Sequence, residues 1–129
     1  MFATTAPPLP VNRDRIRPAI QALQDQLVTW RRGEHQRPEL GFKEWLTADF
    51  ICEKLSEWGI EYQRHIAQTG VAAVIEGTCP GPVLGIRADM DALPIQEENG
   101  TDFDSTRPGL MHACGHDAHT SMLLGAATL

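Results

Sequence analysis

The sequence predicts an α/β fold, because stretches with helical periodicity and short, partly β-branched apolar runs both occur within its 129 residues. The predicted order is two helices, two strands, a long loop and a third helix. This order favours helices packed on a mainly β-strand core sheet. The length suits one ordinary domain, and a hydrophobic content of 42% is normal for a globular protein.

Two helices are predicted in the first half of the chain, after a flexible arm at residues 1–14 that has prolines and no apolar periodicity. The first helix is expected to begin near residues 15–17 and to close at residues 31–33. The second is expected to run from Trp45 to Trp58, with Gly59 as its C-terminal cap. The apolar positions that define them are Ile16, Ile20, Leu23, Leu27, Trp30, Trp45, Ala48, Ile51, Cys52, Leu55 and Trp58.

The second half of the chain has a different character. Residues 71–75 and 83–88 are short apolar runs bounded by turn residues, so we expect two buried strands joined by a hairpin-like turn at residues 76–82. Residues 95–113 have little periodicity and are predicted to form a loop. Residues 118–129 are small and apolar, which predicts a helix packed on the sheet.

A cluster of chemically reactive side chains precedes this last helix. Residues 111–120 contain one thiol, three imidazoles and a carboxylate. Cys114 and His116 lie two residues apart, and Gly115 between them permits a tight backbone that lets both side chains converge. Thiolate and imidazole together suit zinc or another transition metal. The alternative is a buried thiol beside a solvated histidine.

Two carboxylates follow the second predicted strand, where α/β folds place their sites. Asp89 and Asp91 could bind a metal or orient an imidazole that does, and the alternative is that they cap a turn. Asp117 could cap the last helix or hold an imidazole in one tautomer. The histidines at 112 and 119 either line a pocket or are structural, and His35 is predicted to be structural or at the edge of the site.

Composition excludes several classes of function. A net charge of −6 and a pI near 5.2 argue against nucleic acid as a partner. We expect no membrane partner, because no apolar run approaches the ~18–20 residues of a membrane span. An odd count of three cysteines and a start without signal-peptide features predict a cytoplasmic location. The serine-hydrolase elbow and the glycine-rich nucleotide motifs do not occur.

Four motifs occur in an order that resembles a known family. The chain resembles the N-terminal third of the amidohydrolase branch of the aminoacylase/carboxypeptidase metallopeptidases, which includes N-acyl-L-amino-acid amidohydrolases, hippurate hydrolases and auxin-conjugate hydrolases. The match runs from about Ile16 to Leu129, and Arg37 departs from the histidine often seen there. The motifs are Trp30-Arg31-Arg32 with His35 and residues 38–42, then residues 69–71, residues 85–95 and residues 111–117.

This resemblance implies that residues 15–129 are the N-terminal part of a truncated metallopeptidase-type catalytic domain. It implies two divalent ions (zinc, manganese or cobalt), with Cys114 and His116 as ligands and Asp91 as a catalytic-site residue that orients the site. The remaining ligands and the catalytic glutamate follow further along in the family, as does a dimerisation region, so the full-length form is expected to be a homo-oligomer. The implied reaction is hydrolysis of the amide bond of N-acyl amino acids or related small amide conjugates by a metal-activated water.

A second hypothesis is a stand-alone, non-catalytic metal-binding or structural module. In that case Cys114 and His116 would find two further ligands among His112, His119, Asp89 and Asp91 and close a four-coordinate site. Under the first hypothesis the 129-residue chain alone is expected to be inactive, since two ligands fall short of the three protein ligands of a catalytic zinc.

Overall fold

The computed structural model describes residues 18–129, so the predicted arm at residues 1–14 and the predicted helix start at residues 15–17 lie outside the described residues. Helices and strands both occur, as the α/β prediction requires. In chain order they are α1 (Pro18–Ala22), α2 (Gln24–His35), α3 (Trp45–Glu57), β1 (Tyr62–Ile66), β2 (Gly70–Ala73) and α4 (His116–Ala127).

The first predicted helix is interrupted once, at Leu23. The Leu23 N–H donates to the carbonyl of Ile20, three residues back, at 3.2 Å, which is a tighter turn than an α-helix makes. The chain resumes as α2 and continues two residues beyond the predicted end at residue 33. Those two residues, Glu34 and His35, are buried, so tertiary contacts extend the helix past the point where its local sequence predicts an end.

The second predicted helix is confirmed as α3, which ends one residue before Trp58. Gly59 follows with a φ of +67°, the left-handed conformation expected of a C-terminal glycine. Trp45 was predicted to lie on the apolar face and is instead 46% exposed. Trp30 of α2 packs near the end of α3, with its ring centroid 5.7 Å from that of Trp58. The buried side chains of α3 are Thr47, Ala48, Cys52 and Leu55.

The first predicted strand forms, but with a partner that was not predicted. β2 confirms a strand at residues 71–73 of the predicted 71–75, but none of these residues is buried as expected. It pairs antiparallel with β1, which precedes it, in the register Tyr62↔Ala73 and Gln63↔Ala72. In the described part of the chain the sheet therefore has two strands, in place of the mainly β-strand core that we expected.

The strand predicted at residues 83–88 is wrong, because these residues adopt no strand conformation. No backbone hydrogen bond joins this segment to β2, and Val71 and Ile86 are among the residues that line a cavity shared by the two. Without a pairing edge the apolar side chains of Val83 and Leu84 are exposed. The apolar sequence of this segment predicted that it would be buried, but in the structure of residues 18–129 its large apolar side chains are exposed.

Two isolated bridges fix the segment at residues 89–93. The Ala92 N–H donates to the Glu39 carbonyl at 2.7 Å, and Leu93 and Met111 exchange two backbone hydrogen bonds of 3.0 Å each. These bridges bring the segment that carries both aspartates beside the loop that leads into α4.

α4 begins at His116, two residues before its predicted start, and ends at Ala127. It packs mainly on α2 rather than on the sheet. A Cβ atom at Gly125 would lie 2.6 Å from Leu27 Cδ2, so a glycine here permits the close approach of the two helices. Each helix in residues 18–129 is too short or too polar to cross a membrane.

Candidate metal centre

Asp91 and His116 lie in direct contact. His116 Nδ1 is 2.9 Å from Asp91 Oδ1 and 2.9 Å from the Asp91 carbonyl oxygen. Two acceptors at this nitrogen mean that Nδ1 carries the proton and donates, so Nε2 is the nitrogen that a neutral imidazole would offer to a metal. A carboxylate behind a histidine in this way fixes the tautomer and orientation of a metal ligand and raises its basicity.

Asp89 stands on the other side of the same imidazole. Its Oδ2 is 4.0 Å from His116 Nε2, too far for a hydrogen bond, and its other carboxylate oxygen pairs with Arg87. The two aspartates thus contribute differently: Asp91 orients the ring, and Asp89 lies near the nitrogen that remains available.

Cys114 lies on the Cys114 loop (residues 111–115), immediately before α4. Its thiol is exposed and free. Gly115 adopts a φ of +80°, and its N–H donates to the His112 carbonyl at 3.3 Å, so the chain turns tightly between Cys114 and the helix. The sequence-based expectation of a tight glycine turn at this position is confirmed.

The donor types in this region fit a divalent ion, because a thiol and an imidazole oriented through Nδ1 are both metal-binding groups. Few candidate ligands come close together, however. In the part of the chain that the structure describes, no group of three or more His, Cys, Asp or Glu side chains is placed to hold an ion together. The His116 ring lies 5.5 Å from that of His119, centroid to centroid, and His119 is exposed.

A buried group of charges adjoins the candidate ligands. We call it the His35 cluster and define it as Arg31, His35, Glu97 and Asp117. Asp117 Oδ2 lies 2.7 Å from His35 Nδ1 and 2.7 Å from Arg31 Nε, and the Asp117 carboxylate is fully buried. Asp117 was predicted to cap α4 or to hold an imidazole; α4 has no side-chain cap, and the imidazole that Asp117 holds is that of His35.

Glu97 completes the His35 cluster on the opposite side of the ring. Its Oε1 is 2.8 Å from His35 Nε2, and it accepts further hydrogen bonds from the Asn99 side chain (2.7 Å) and the Ser105 N–H (2.6 Å). Burial by itself would raise the pKa of Glu97, but the hydrogen bonds from His35, Ser105 and Asn99 together lower it. Glu97 is therefore an ionised carboxylate with its oxygens already occupied.

His112 is the second buried histidine near the site. It is 4% exposed, and neither ring nitrogen has a hydrogen-bond partner among the described residues. Burial lowers its pKa, and the nearby imidazoles of His35 and His116 act in the same direction, while Asp117 opposes them. His112 is consequently neutral at pH 7.

Sequence reasoning anticipated that an aspartate at 89 or 91 could orient an imidazole, without naming His116 as the partner, and missed the His35 cluster. Arg31 and His35 are four residues apart on one helix, a spacing that places them on the same face and could have signalled a shared partner. The partners Glu97 and Asp117 carry no such signal, because they come from a loop and from another helix.

Comparison with known proteins identifies relatives of this chain. Residues 85–129, which include Asp91, Cys114 and His116, match the family described as Peptidase family M20/M25/M40. Over 119 residues the chain is 46% identical to an N-acyl-L-amino acid amidohydrolase of Geobacillus stearothermophilus, a match that covers 92% of this chain and 32% of that protein. It is 48% identical over 110 residues to an N-acetyl-L-cysteine deacetylase of Bacillus subtilis, covering 85% of this chain and 26% of that protein.

A solved structure supports the same relationship. The Bacillus subtilis YXEP protein, described as a dinuclear metal-binding peptidase of the M20 family, superposes with a TM-score of 0.79 at 46% identity and covers 84% of this chain and 31% of that one. The predicted α/β class is confirmed by this shared fold. The chain spans about a third or less of the length of these relatives. Over most of its own length it resembles the M20 amidohydrolases, and the family resemblance inferred from its motifs is confirmed.

Proposed function

We propose that this chain forms part of a metal-dependent amidohydrolase that cleaves the amide bond of N-acyl amino acids or related small amide conjugates. The observation that carries the proposal is the contact of His116 Nδ1 with Asp91, which orients an imidazole two residues along the chain from the free, exposed thiol of Cys114. The relatives that act on N-acyl amino acids support the substrate class.

In this proposal Cys114 and His116 are metal ligands, and Asp91 orients His116. The resemblance favours two divalent ions, with zinc, manganese and cobalt all compatible with thiolate and imidazole ligands. A bound divalent ion would polarise the scissile carbonyl and lower the pKa of a water molecule. Asp91 would direct the His116 imidazole by accepting the hydrogen bond from Nδ1, so that Nε2 is the nitrogen that faces the ion.

The general base is assigned to a glutamate outside this chain, as the family resemblance implies. Glu97 does not suit the role, because it is buried and its oxygens accept hydrogen bonds from His35, Asn99 and Ser105. A base must reach the water that it deprotonates. The cytoplasmic location and the homo-oligomeric full-length form stay predictions.

The alternative of a closed, non-catalytic metal site is not favoured by any contact seen here. Such a site needs four ligands, and within residues 18–129 no three candidate ligands come together. This alternative would be favoured if the protein bound metal but released no amine from any N-acyl amino acid.

The test is an amine-release assay with N-acetyl amino acids on the full-length gene product. We expect chelator treatment to abolish turnover and zinc, manganese or cobalt to restore it. His116→Ala should abolish activity, whereas His65→Ala, a change at an exposed histidine, should leave it unchanged. Full activity in the chelated protein, or in His116→Ala, would contradict the proposal.

A further inference from the structure

The side chains of the Cys114 loop make few hydrogen bonds. Cys114 makes no side-chain hydrogen bond among the described residues, and His112 has no hydrogen-bond partner there for either ring nitrogen. One end of the loop is held by the backbone bridge between Met111 and Leu93. The orientation of Cys114 and the backbone position of His116 must therefore depend on what holds the other end, while Asp91 orients the His116 ring itself.

That other end is held by Asp117, the residue next to His116. Asp117 Oδ2 accepts a hydrogen bond from Arg31 Nε and another from His35 Nδ1, each at 2.7 Å. His35 Nδ1 also lies 3.3 Å from Arg31 Nη2, and the much shorter distance to Asp117 decides that Nδ1 donates to the carboxylate. The first turn of α4 is thereby fastened to the last two turns of α2.

His35 is itself fixed from the opposite side. Its Nε2 is 2.8 Å from Glu97 Oε1, so both ring nitrogens face carboxylate oxygens and the imidazolium form can donate to both. Phe103 closes the cluster from solvent, with its ring centroid 5.6 Å from that of His35 and 5.1 Å from the Arg31 guanidinium carbon. The His35 ring has no freedom to turn without losing one of its partners.

Such a buried set of charges is weak evidence for stability. The cost of taking charges out of water offsets much of their attraction, and well-packed apolar residues often replace them without loss. Apolar residues in place of these charges would not make the directional hydrogen bonds that hold the His35 ring and the Asp117 carboxylate in one orientation. The cluster adjoins a candidate metal ligand, so a positioning role accounts for a charged cluster at this place in the fold.

We propose that His35 is a positioning residue for the metal centre: through Asp117 it fixes the start of α4, and so the backbone from which His116 and Cys114 project, while Asp91 sets the direction of the His116 ring. The inference rests on the proposed metal site. In this proposal the contact of His35 Nδ1 with Asp117 supports metal affinity, and the contact of Nε2 with Glu97 holds the ring in place. Substitutions that keep only one of these two contacts can therefore test them separately.

The test uses two substitutions that each keep one side of the ring. In His35→Asn the amide nitrogen takes the place of Nδ1 and keeps the contact with Asp117, whereas in His35→Gln it takes the place of Nε2 and keeps the contact with Glu97. Affinity for Co²⁺ is measured on the full-length gene product by chelator competition, and unfolding is followed in the metal-free protein. His65→Gln, at an exposed histidine, is the matched control.

We expect His35→Gln to weaken Co²⁺ binding by about 10-fold or more, the size seen when groups behind metal ligands are removed, and His35→Asn to restore most of the affinity. If His35→Gln does not fold, Asp117→Asn is expected to show the same loss. Two variants that unfold more easily and yet bind Co²⁺ like the parent would overturn the inference and leave the proposed function standing. A parent protein that binds no Co²⁺ would instead overturn the proposed function.

Discussion

Glu34 and His35 are the last two residues of α2, and both are buried. Their charged neighbours differ. His35 lies between two carboxylates. Glu34 has an Arg37 guanidinium nitrogen 3.6 Å away and shares its surroundings with Glu39 and Asp117. Burial raises the pKa of Glu34 to about 7, the neighbouring carboxylates add to this, and Thr47 and Arg37 oppose it.

This shift predicts a pH dependence of stability. Folded Glu34 keeps its proton up to about pH 7, whereas the unfolded carboxyl loses it near 4.5. The folded state binds more protons in that window, so stability falls as the pH rises from about 4.5 to 7. Glu34→Gln cannot titrate and should be more stable than the parent at pH 8, by up to about 3 kcal/mol.

Urea unfolding between pH 4 and pH 8 checks this prediction. Glu98→Gln, at an exposed glutamate, is the control and should follow the parent at every pH. A Glu34→Gln variant that loses stability with rising pH just as the parent does would show that Glu34 is ionised in the folded protein.

Asp91 gives a second prediction at the scale of one residue. Asp91→Asn keeps an oxygen near His116 Nδ1 but removes the negative charge that makes the imidazole a better ligand. We expect metal affinity to fall by about 10- to 100-fold while the free energy of unfolding of the metal-free protein changes little. Isothermal titration with Zn²⁺ measures the affinity, with the exposed Asp102→Asn as control. Equal affinities in the two variants would contradict the role assigned to Asp91.

Helices were more predictable from this sequence than strands, of which one was missed and one was predicted wrongly, for a physical reason. A helix satisfies its own backbone hydrogen bonds, so the periodicity of residues 45–58 was enough to define α3. A strand depends on a partner. β1 has the polar sequence Tyr-Gln-Arg-His-Ile without apolar alternation, and it forms because β2 pairs with it, whereas the more apolar residues 83–88 have no such edge.

The packing of α2 against the end of α3 predicts unequal roles for two tryptophans. Trp30 is 8% exposed and lies against Phe50 and Trp58, with ring centroids 6.4 and 5.7 Å away. We expect Trp30→Ala to lower the free energy of unfolding by about 3–5 kcal/mol. Trp45→Ala, at the exposed start of α3, should cost no more than about 1 kcal/mol. Urea unfolding followed by circular dichroism measures both, and similar losses in the two variants would contradict the packing described.

For the whole molecule, the part of the site within one local stretch was predictable, and the part assembled from distant stretches was not. Cys114, Gly115 and His116 are sequence neighbours, and the tight turn between them follows from the glycine. The His35 cluster joins positions 35, 97 and 117, which only tertiary folding brings together. No periodicity or spacing along the chain encodes that contact.

The activity of the whole protein is also expected to exceed that of this stretch. The chain covers a quarter to a third of its relatives, and its described residues bring no three candidate ligands together. We therefore expect the isolated 129-residue polypeptide to release no amine from N-acetyl amino acids, while the full-length gene product does so. Parallel assays at equal protein concentration check this, and turnover by the short polypeptide would show that its own residues suffice.

The central claim is that Cys114 and His116 hold a divalent ion, and the most direct measurement is the absorption spectrum of the Co²⁺-loaded full-length protein. A cysteine thiolate bound to Co²⁺ gives a charge-transfer band in the near ultraviolet. We predict that the band is present in the parent, is kept in Cys79→Ser, where the substituted thiol is also exposed and free, and is lost in Cys114→Ser. A band that survives in Cys114→Ser would mean that another thiol binds the ion, and a band missing from the parent would mean that no thiol does; either result would contradict the account.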